Sequence, residues 1–313
     1  MLLNKWLALA SIGQAFAARS AGCQRKQRLN TVGKTLNVTL GDRRYLLYVP
    51  PTYSSAIPAP VVLSFHGGTR TAEDQKALDL LTTPDFNKGH IIIYPNGLNY
   101  TWEGVPNVTT KDTQFVTKIL NEVEKEYCID HSRIFATGKS QGGGFVGVLA
   151  CDSALSTRIA AFAPVSGAYY VSNVSVCDPA TVKIPCDPGR KHVPVLAFHG
   201  GADGTISIDG GPRKGGCLPT IEHWVNEWAI RDALGTKNTS VSLTEAATEH
   251  VFGAGDERSL VTFVYDGDKV DHSWPYTGDN PDNLQHGDGP ASFNATPVIL
   301  DFFKEHPLPA MLL

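Results

Sequence analysis

Arg133-Ile134-Phe135-Ala136-Thr137-Gly138-Lys139-Ser140-Gln141-Gly142-Gly143-Gly144-Phe145-Val146-Gly147-Val148-Leu149-Ala150 passes from one kind of structure to another within a few residues. Residues 133–137 form a short apolar run of the kind that a strand buried on both faces shows. Residues 143–150 read as an apolar helix. Between them stands G-x-S-x-G, at the strand-to-helix turn its chemistry requires. A serine on so sharp a turn takes a strained backbone conformation. Side chains at 138 and 142 would collide with the neighbouring strand and helix. The hydroxyl is thereby held out to a base and a substrate. The helix start sets backbone N–H groups beside the negative charge that develops there. Ser140 is the candidate nucleophile.

Working outward, further apolar runs at 61–65, 91–94, 160–165, 193–198 and 260–265 read as buried strands. Residues 35–40 and 43–49, parted by Gly41-Asp42, suit a hairpin. Helices are expected over 113–127, with Phe115, Val116, Ile119, Leu120 and Val123 on one face, and over 221–234. A last helix is expected over 296–305, between Pro297 and Pro307. The alternation predicts an α/β fold with a mostly parallel central sheet and helices on both faces. The 313 residues carry no internal repeat and no low-complexity linker. One catalytic domain over 19–313 is therefore expected, without a separate carbohydrate-binding module.

The remaining site residues follow from chain order. Phe65-His66-Gly67-Gly68-Thr69 ends the 61–65 strand, where a second oxyanion N–H belongs. The expected donors are the N–H groups of Gln141 and Gly68, with Thr69 as substitute for Gly68, while His66 orients the loop. The acid should follow a later strand. His199-Gly200-Gly201-Ala202-Asp203 leaves the 193–198 run, making Asp203 the candidate and Asp209 the runner-up. The base should follow the next strand, and His272 stands in the loop after 260–265, ahead of the final helix. Ser140, Asp203 and His272 in that order suit acyl transfer: the histidine takes the serine proton and the aspartate fixes its tautomer. There is no H-E-x-x-H, no Cys/His zinc spacing and no Walker loop, so neither metal nor cofactor is expected.

Composition narrows the setting. With 42% hydrophobic and 19% charged residues and a net charge of −4, the chain suits neither disorder nor nucleic-acid binding. Residues 1–18 read as a signal peptide: Lys5, then a largely apolar stretch, then Ala15-Phe16-Ala17. No later run is long enough to span a membrane. Six sequons, at Asn37, Asn99, Asn107, Asn173, Asn238 and Asn294, are glycosylation candidates. Six cysteines, Cys23, Cys128, Cys151, Cys177, Cys186 and Cys217, permit three disulfides in an oxidising compartment. Cys128 precedes the nucleophile strand and Cys151 ends the helix returning from it, so their pairing is expected. Cys23 would tie down the N-terminus, and the other three would brace loops near the acid. A secreted, extracellular monomer is expected.

Tyr127-Cys128-Ile129-Asp130-His131-Ser132 leading into the elbow resembles the fungal secreted feruloyl esterases of carbohydrate esterase family 1. So do Phe65-His66-Gly67-Gly68, Tyr94-Pro95-Asn96-Gly97 with Trp102, Phe162-Ala163-Pro164-Val165-Ser166-Gly167 and His199-Gly200-Gly201-Ala202-Asp203. Gly216-Cys217-Leu218-Pro219-Thr220-Ile221 and His272-Ser273-Trp274-Pro275 complete the match, in order, over nearly all of residues 19–313. The resemblance implies an α/β-hydrolase fold and the same Ser140, Asp203 and His272. It also implies hydrolysis of ferulate and related hydroxycinnamate esters on plant cell-wall arabinoxylan or pectin, with the feruloylated polysaccharide as partner. Acetyl xylan esterases and polyhydroxybutyrate depolymerase-like esterases share much of the pattern. Trp102 is the candidate substrate-binding residue, offering a flat apolar partner to a cinnamoyl ring; the alternative is a loop tryptophan packed on the core. Two positions depart from the family: Asp271 stands where glycine usually precedes the base, and Gln141 where asparagine is often found. A carboxylate at 271 should favour the charged form of His272 and raise its pKa. A non-catalytic polysaccharide-binding relative would lack one of the three catalytic candidates or their setting, and all three are here.

Overall fold

In the computed structural model, which describes residues 19–23, 25, 31–253 and 259–312, ten strands form one sheet. The signal peptide expected over 1–18 lies outside the described residues. Strands β1 (Lys34–Leu40), β2 (Arg43–Val49), β3 (Ala59–Phe65), β4 (Ile91–Pro95), β5 (Ile129–Lys139), β6 (Ala161–Val165) and β7 (Val195–His199) come first. A separate hairpin, β8 (Gly211–Arg213) and β9 (Gly216–Leu218), precedes β10 (Asn238–Ser242), β11 (Thr248–Phe252) and β12 (Val261–Tyr265). The helices are α1 (Ala72–Asp79), α2 (Asp112–Glu126), α3 (Gln141–Cys151), α4 (Ile221–Arg231), α5 (Pro281–His286) and α6 (Ala295–Glu305).

The sheet runs β1-β2-β4-β3-β5-β6-β7-β12-β11-β10. Its middle, β4 to β12 in that order, is parallel, and antiparallel pairs flank it on both sides. This is an α/β-hydrolase-like fold. Successive residues of the central strands serve opposite faces, as the pleat demands. Val61, Leu63 and Phe65 join Ile91 and Ile93 in a core with α2, α3 and α4, whereas Val62, Ile92 and Tyr94 meet Leu78 of α1 and Phe303 of α6. Burial on both sides is why these strands read as unbroken apolar runs rather than alternating ones.

Chain order steps from β3 to β4 on one side and returns to β5 on the other, so the strand order reverses between β3 and β5. Loops leaving a parallel sheet at such a reversal diverge and leave a crevice above the strand ends. The turn after β3 and the elbow after β5 both open onto it.

Three disulfides are present: Cys23–Cys128, Cys151–Cys186 and Cys177–Cys217. The expected Cys128–Cys151 pair does not form. Backbone bonds from Ser20 N to Ile129 O and from Gly22 N to Glu124 O lay the N-terminal segment against the start of β5, which brings Cys23 to Cys128. Cys151, at the end of α3, is met instead by the loop before β7, where Asp187 N donates to Cys151 O. The antiparallel edge β10–β11 was not apparent in the sequence. All of β10 is exposed, so it carries no apolar signal. Among the sequons, Asn37, Asn99, Asn107, Asn173 and Asn238 are exposed, while Asn294 is half-buried and accepts from Thr277 N and Oγ1. Among the described residues no helix is long and apolar enough to cross a membrane.

Candidate active site

Ser140 joins β5 to α3 with φ 58° and ψ −119°, a left-handed conformation that costs a serine on the order of 1–3 kcal/mol and survives only where its surroundings fix it. Here they do. Ser140 N donates to Val165 O at 3.0 Å, and Ser140 O accepts from Gly144 N at 2.8 Å and Ala168 N at 3.0 Å. The flanking glycines are required by close approach. A Cβ at Gly138 would stand 2.8 Å from Phe65 O, and one at Gly142 would reach His66 O at 2.6 Å and overlap the carbonyl of Phe65. The end of β3 is thus pressed against the elbow, which brings the Gly67-Gly68 turn beside Ser140.

That turn is held by buried groups. His66 Nδ1 lies 2.8 Å from Gly67 O and its Nε2 accepts from Gly97 N at 3.0 Å, which fixes the Nδ1–H tautomer. Burial pushes its pKa down to about 4, against the pull of the Gly67 carbonyl, so the ring is neutral at ordinary pH. Thr69 (φ 65°) donates its N–H to Tyr100 O at 2.9 Å, so that N–H is not available to an oxyanion. The N–H groups of Gly68 and Gln141 have no partner among the described residues. The Gln141 side chain accepts from Thr101 Oγ1 at 2.9 Å, and its amide lies where a Cβ of residue 68 would be.

Trp102 does not line this crevice. Its ring is wholly buried, stacked on Phe145 at 5.2 Å and edge-on to Phe65, with Nε1 donating to His66 O at 2.8 Å. The substrate-contact expectation is corrected to a packing role: the indole supports the Gly67-Gly68 turn from beneath.

The loops after β7 and β12 meet across the sheet top. His272 Nδ1 and Asp203 Oδ2 are 2.7 Å apart, and Asp203 Oδ1 accepts from Thr205 N at 2.9 Å and Ile206 N at 2.7 Å. His199 Nε2 also approaches Asp203 Oδ2, at 3.2 Å, while bonding Ile206 O at 2.7 Å. Burial alone would raise the Asp203 carboxyl. The bonds and charge of His199 and His272 more than reverse this and hold it well below the usual carboxylate range. Asp209, the runner-up, is exposed and lies off this network.

Burial and the charge of Lys139 push His272 down to about 4, opposed by Asp203. The net direction is downward, and Asp271 is not among the groups that shift the ring. The Asp271 carboxylate is spent on backbone donors, Gly204 N at 2.8 Å and His272 N at 2.6 Å. His272 Nε2 is buried and has no partner among the described residues.

Sequence reasoning missed Lys139, the first of the two variable positions of the elbow. It is buried, donating to His272 O at 2.9 Å and pairing with Asp282 at 3.1 Å. It also missed Asp266, at the exit of β12, whose carboxyl is fully buried with neither oxygen partnered among the described residues. Burial, reinforced by the charge of Asp203, raises its pKa well above normal. An apolar strand ending in Asp266-Gly267 gave no hint of this, because the same letters spell an exposed turn.

Ser140 and His272 share a cleft of about 220 Å³ with Gly67, Gly68, Arg70 and His286. A larger groove, about 380 Å³, starts at Gln141 and runs along α3 past Phe145 and Val148 to Cys151 and Cys186. Tyr169 and Trp224, stacked at 3.7 Å, form its far wall. Gln141 lines this groove and Ser140 the cleft, so both openings border the elbow.

No protein-family model matches the chain. It is 30% identical over 218 residues to a probable feruloyl esterase C of Aspergillus oryzae, covering 67% of this chain and 72% of that one. It is 30% identical over 224 residues to feruloyl esterase D of Neurospora crassa, covering 66% and 71%. Among solved structures, an acetyl xylan esterase from Aspergillus awamori superposes with a TM-score of 0.58 at 16% identity, over 82% of this chain and all of that one, a likeness of fold.

Proposed function

The chain belongs to the family of α/β-hydrolase-fold esterases that contains the fungal feruloyl esterases C, and on that premise we propose that it is a secreted serine esterase acting on feruloyl esters of plant cell-wall polysaccharides such as arabinoxylan. The reading rests above all on one observation: His272 is bonded through Nδ1 to Asp203 while its ring and Ser140 line the same cleft.

In the proposed reaction, His272 Nε2 takes the proton of Ser140 as the hydroxyl oxygen attacks the ester carbonyl. Asp203 holds the proton on Nδ1 and stabilises the imidazolium. The oxyanion is received by the N–H groups of Gly68 and Gln141 at the start of α3, where donors and helix dipole are already in place. As the ester C–O bond breaks, His272 gives the proton to the departing sugar oxygen, which leaves as the hydroxyl. Water, activated by the same nitrogen, then hydrolyses the feruloyl-serine and releases ferulate. The groove beside Gln141, walled by Phe145, Tyr169 and Trp224, supports an aromatic acyl group, and the cleft with Arg70 and His286 supports the polar alcohol side. Residues 19–313 would act as one catalytic domain once the leader is removed, in an oxidising extracellular setting that suits three disulfides.

The test is hydrolysis of methyl ferulate and of feruloylated arabinoxylan, against a short-chain aliphatic ester, by the wild-type chain and Ser140→Ala. Preference for the feruloyl substrates, lost in the folded variant, is expected. Preference for the aliphatic ester would move the reading to an acetyl or polyester esterase. Full activity in Ser140→Ala would end the serine mechanism.

A further inference from the structure

Asp203 and His272 come from loops that follow different strands, 69 residues apart in sequence, yet their side chains meet at 2.7 Å. Two backbone bonds begin the docking of one loop on the other, Gly201 N to Gly267 O and Ala202 N to Val270 O, both at 3.0 Å. Beyond Ala202, among the described residues, one further group crosses between the loops besides the Asp203–His272 bond itself. It is the Asp271 carboxylate. A single oxygen, Oδ1, accepts Gly204 N at 2.8 Å and His272 N at 2.6 Å. Gly204 directly follows the acid and Asp271 directly precedes the base, so this one atom ties the two backbones next to the reacting pair. Asp271 is itself held from behind: its N–H donates to Asp288 Oδ2 at 3.1 Å, and the same oxygen accepts Ser273 Oγ at 2.6 Å. Its other oxygen stands 3.6 Å from His286 Nδ1.

We propose that Asp271 is a positioning residue that sets the separation of Asp203 and His272. It lies outside the lining of the Ser140 cleft and touches no reacting atom. Its effect is exerted through the two N–H groups it gathers, on a bond whose geometry controls how squarely Nε2 faces the serine. With glycine or alanine at 271, the Gly204 and His272 N–H groups fall to water, which satisfies them without fixing their spacing. The role is geometric and not one of charge: the requirement is an acceptor oxygen at this distance from the backbone. The inference rests on Ser140, Asp203 and His272 being the reacting set, and is independent of which acyl group the enzyme prefers.

The experiment compares wild type, Asp271→Asn, Asp271→Glu, Asp271→Ala and Ser140→Ala for kcat, KM and the pH profile of kcat/KM, on both methyl ferulate and a p-nitrophenyl acyl ester. Asparagine keeps the acceptor and loses the charge; glutamate keeps the charge and moves the oxygen by a methylene. Misplacement of a catalytic group by a fraction of an ångström gives an expected loss of about tenfold in kcat for Asp271→Ala and Asp271→Glu, with KM within about twofold, and Asp271→Asn staying within about threefold of wild type. The acid limb of kcat/KM should not move in Asp271→Asn. Wild-type kcat in Asp271→Glu, or an impaired Asp271→Asn with a displaced acid limb, would overturn the proposal in favour of a charge effect. These two variants decide it even if Asp271→Ala does not fold. Activity surviving in Ser140→Ala would overturn instead the reading on which the proposal stands.

Discussion

Replacing Asp203 by asparagine turns one carboxylate oxygen into an NH2 group, and the neighbouring donors settle which one. Oδ1 accepts Thr205 N at 2.9 Å and Ile206 N at 2.7 Å, and an amide keeps both bonds only by aiming its carbonyl oxygen there. The NH2 is then turned to His272 Nδ1, where the carboxylate accepts at 2.7 Å. A donor in that place needs Nδ1 as acceptor, which moves the ring proton to Nε2 and removes the lone pair that should receive the serine proton. The NH2 also faces His199 Nε2, a second donor at 3.2 Å, so no swivel of the amide satisfies every neighbour. A base held in the wrong tautomer costs about 10⁴ in kcat, or about 5.4 kcal/mol at 1.36 kcal/mol per tenfold. Alanine at 203 imposes no tautomer and should leave at least as much activity as asparagine. The assay is initial rates on methyl ferulate and an aliphatic p-nitrophenyl ester, with circular dichroism confirming the fold. Asparagine within tenfold of wild type would refute the assignment of Asp203, and alanine far below asparagine would refute the tautomer argument.

Burial and Lys139 hold His272 near 4, so the acid limb of kcat/KM should fall near pH 4; a limb at 6.5 or above would contradict the buried setting. His90, away from the cleft with Nδ1 buried and unpartnered among the described residues, is likewise lowered by burial to about 4. A histidine lowered from 6.5 gives stability that is present above 6.5 and lost as pH falls toward 4, so His90→Phe should flatten the slope of Tm against pH in that window and leave kcat unchanged. Trp102→Phe should lower stability by about 1 kcal/mol through the lost bond to His66 O, with KM within about twofold of wild type, measured by urea titration and steady-state kinetics. Removing Cys151–Cys186, which closes a sequence separation of 35, should cost about 4 kcal/mol by loop-closure entropy, read from urea unfolding of the double serine variant.

The sequence was most legible where a residue type has one physical reason to be there. Runs buried on both faces, such as Ile91–Pro95, have no other reading than a central strand, and they carried the sheet. Gly138 and Gly142 announced a close approach, though not that its partners would be the carbonyls of Phe65 and His66. Where a letter admits several environments, composition ran out. Trp102 in a loop reads equally as a wall of a cleft or a prop beneath it, and only the position of Phe145 separates the two. Asp271 next to a histidine reads as a charge, but its oxygen was already committed to two N–H groups. Cysteine pairing depends on where the N-terminal segment lies, which backbone hydrogen bonds to Ile129 and Glu124 settle without any side-chain signature.

Lys139 puts a constraint on anyone who would rebuild this enzyme. Its ammonium reaches from the end of β5 to the carbonyl of His272 and to Asp282 on α5, so the wall of the cleft that α5 provides is pinned to the elbow from inside. Exchanging the 276–294 segment for one of another length or specificity removes Asp282 and strands a buried cation against the backbone of His272. A loop graft at this rim is therefore a two-site operation, in which residue 139 must be redesigned together with a partner 143 positions away. A library that randomises the rim alone would discard workable specificities for a defect that lies under them.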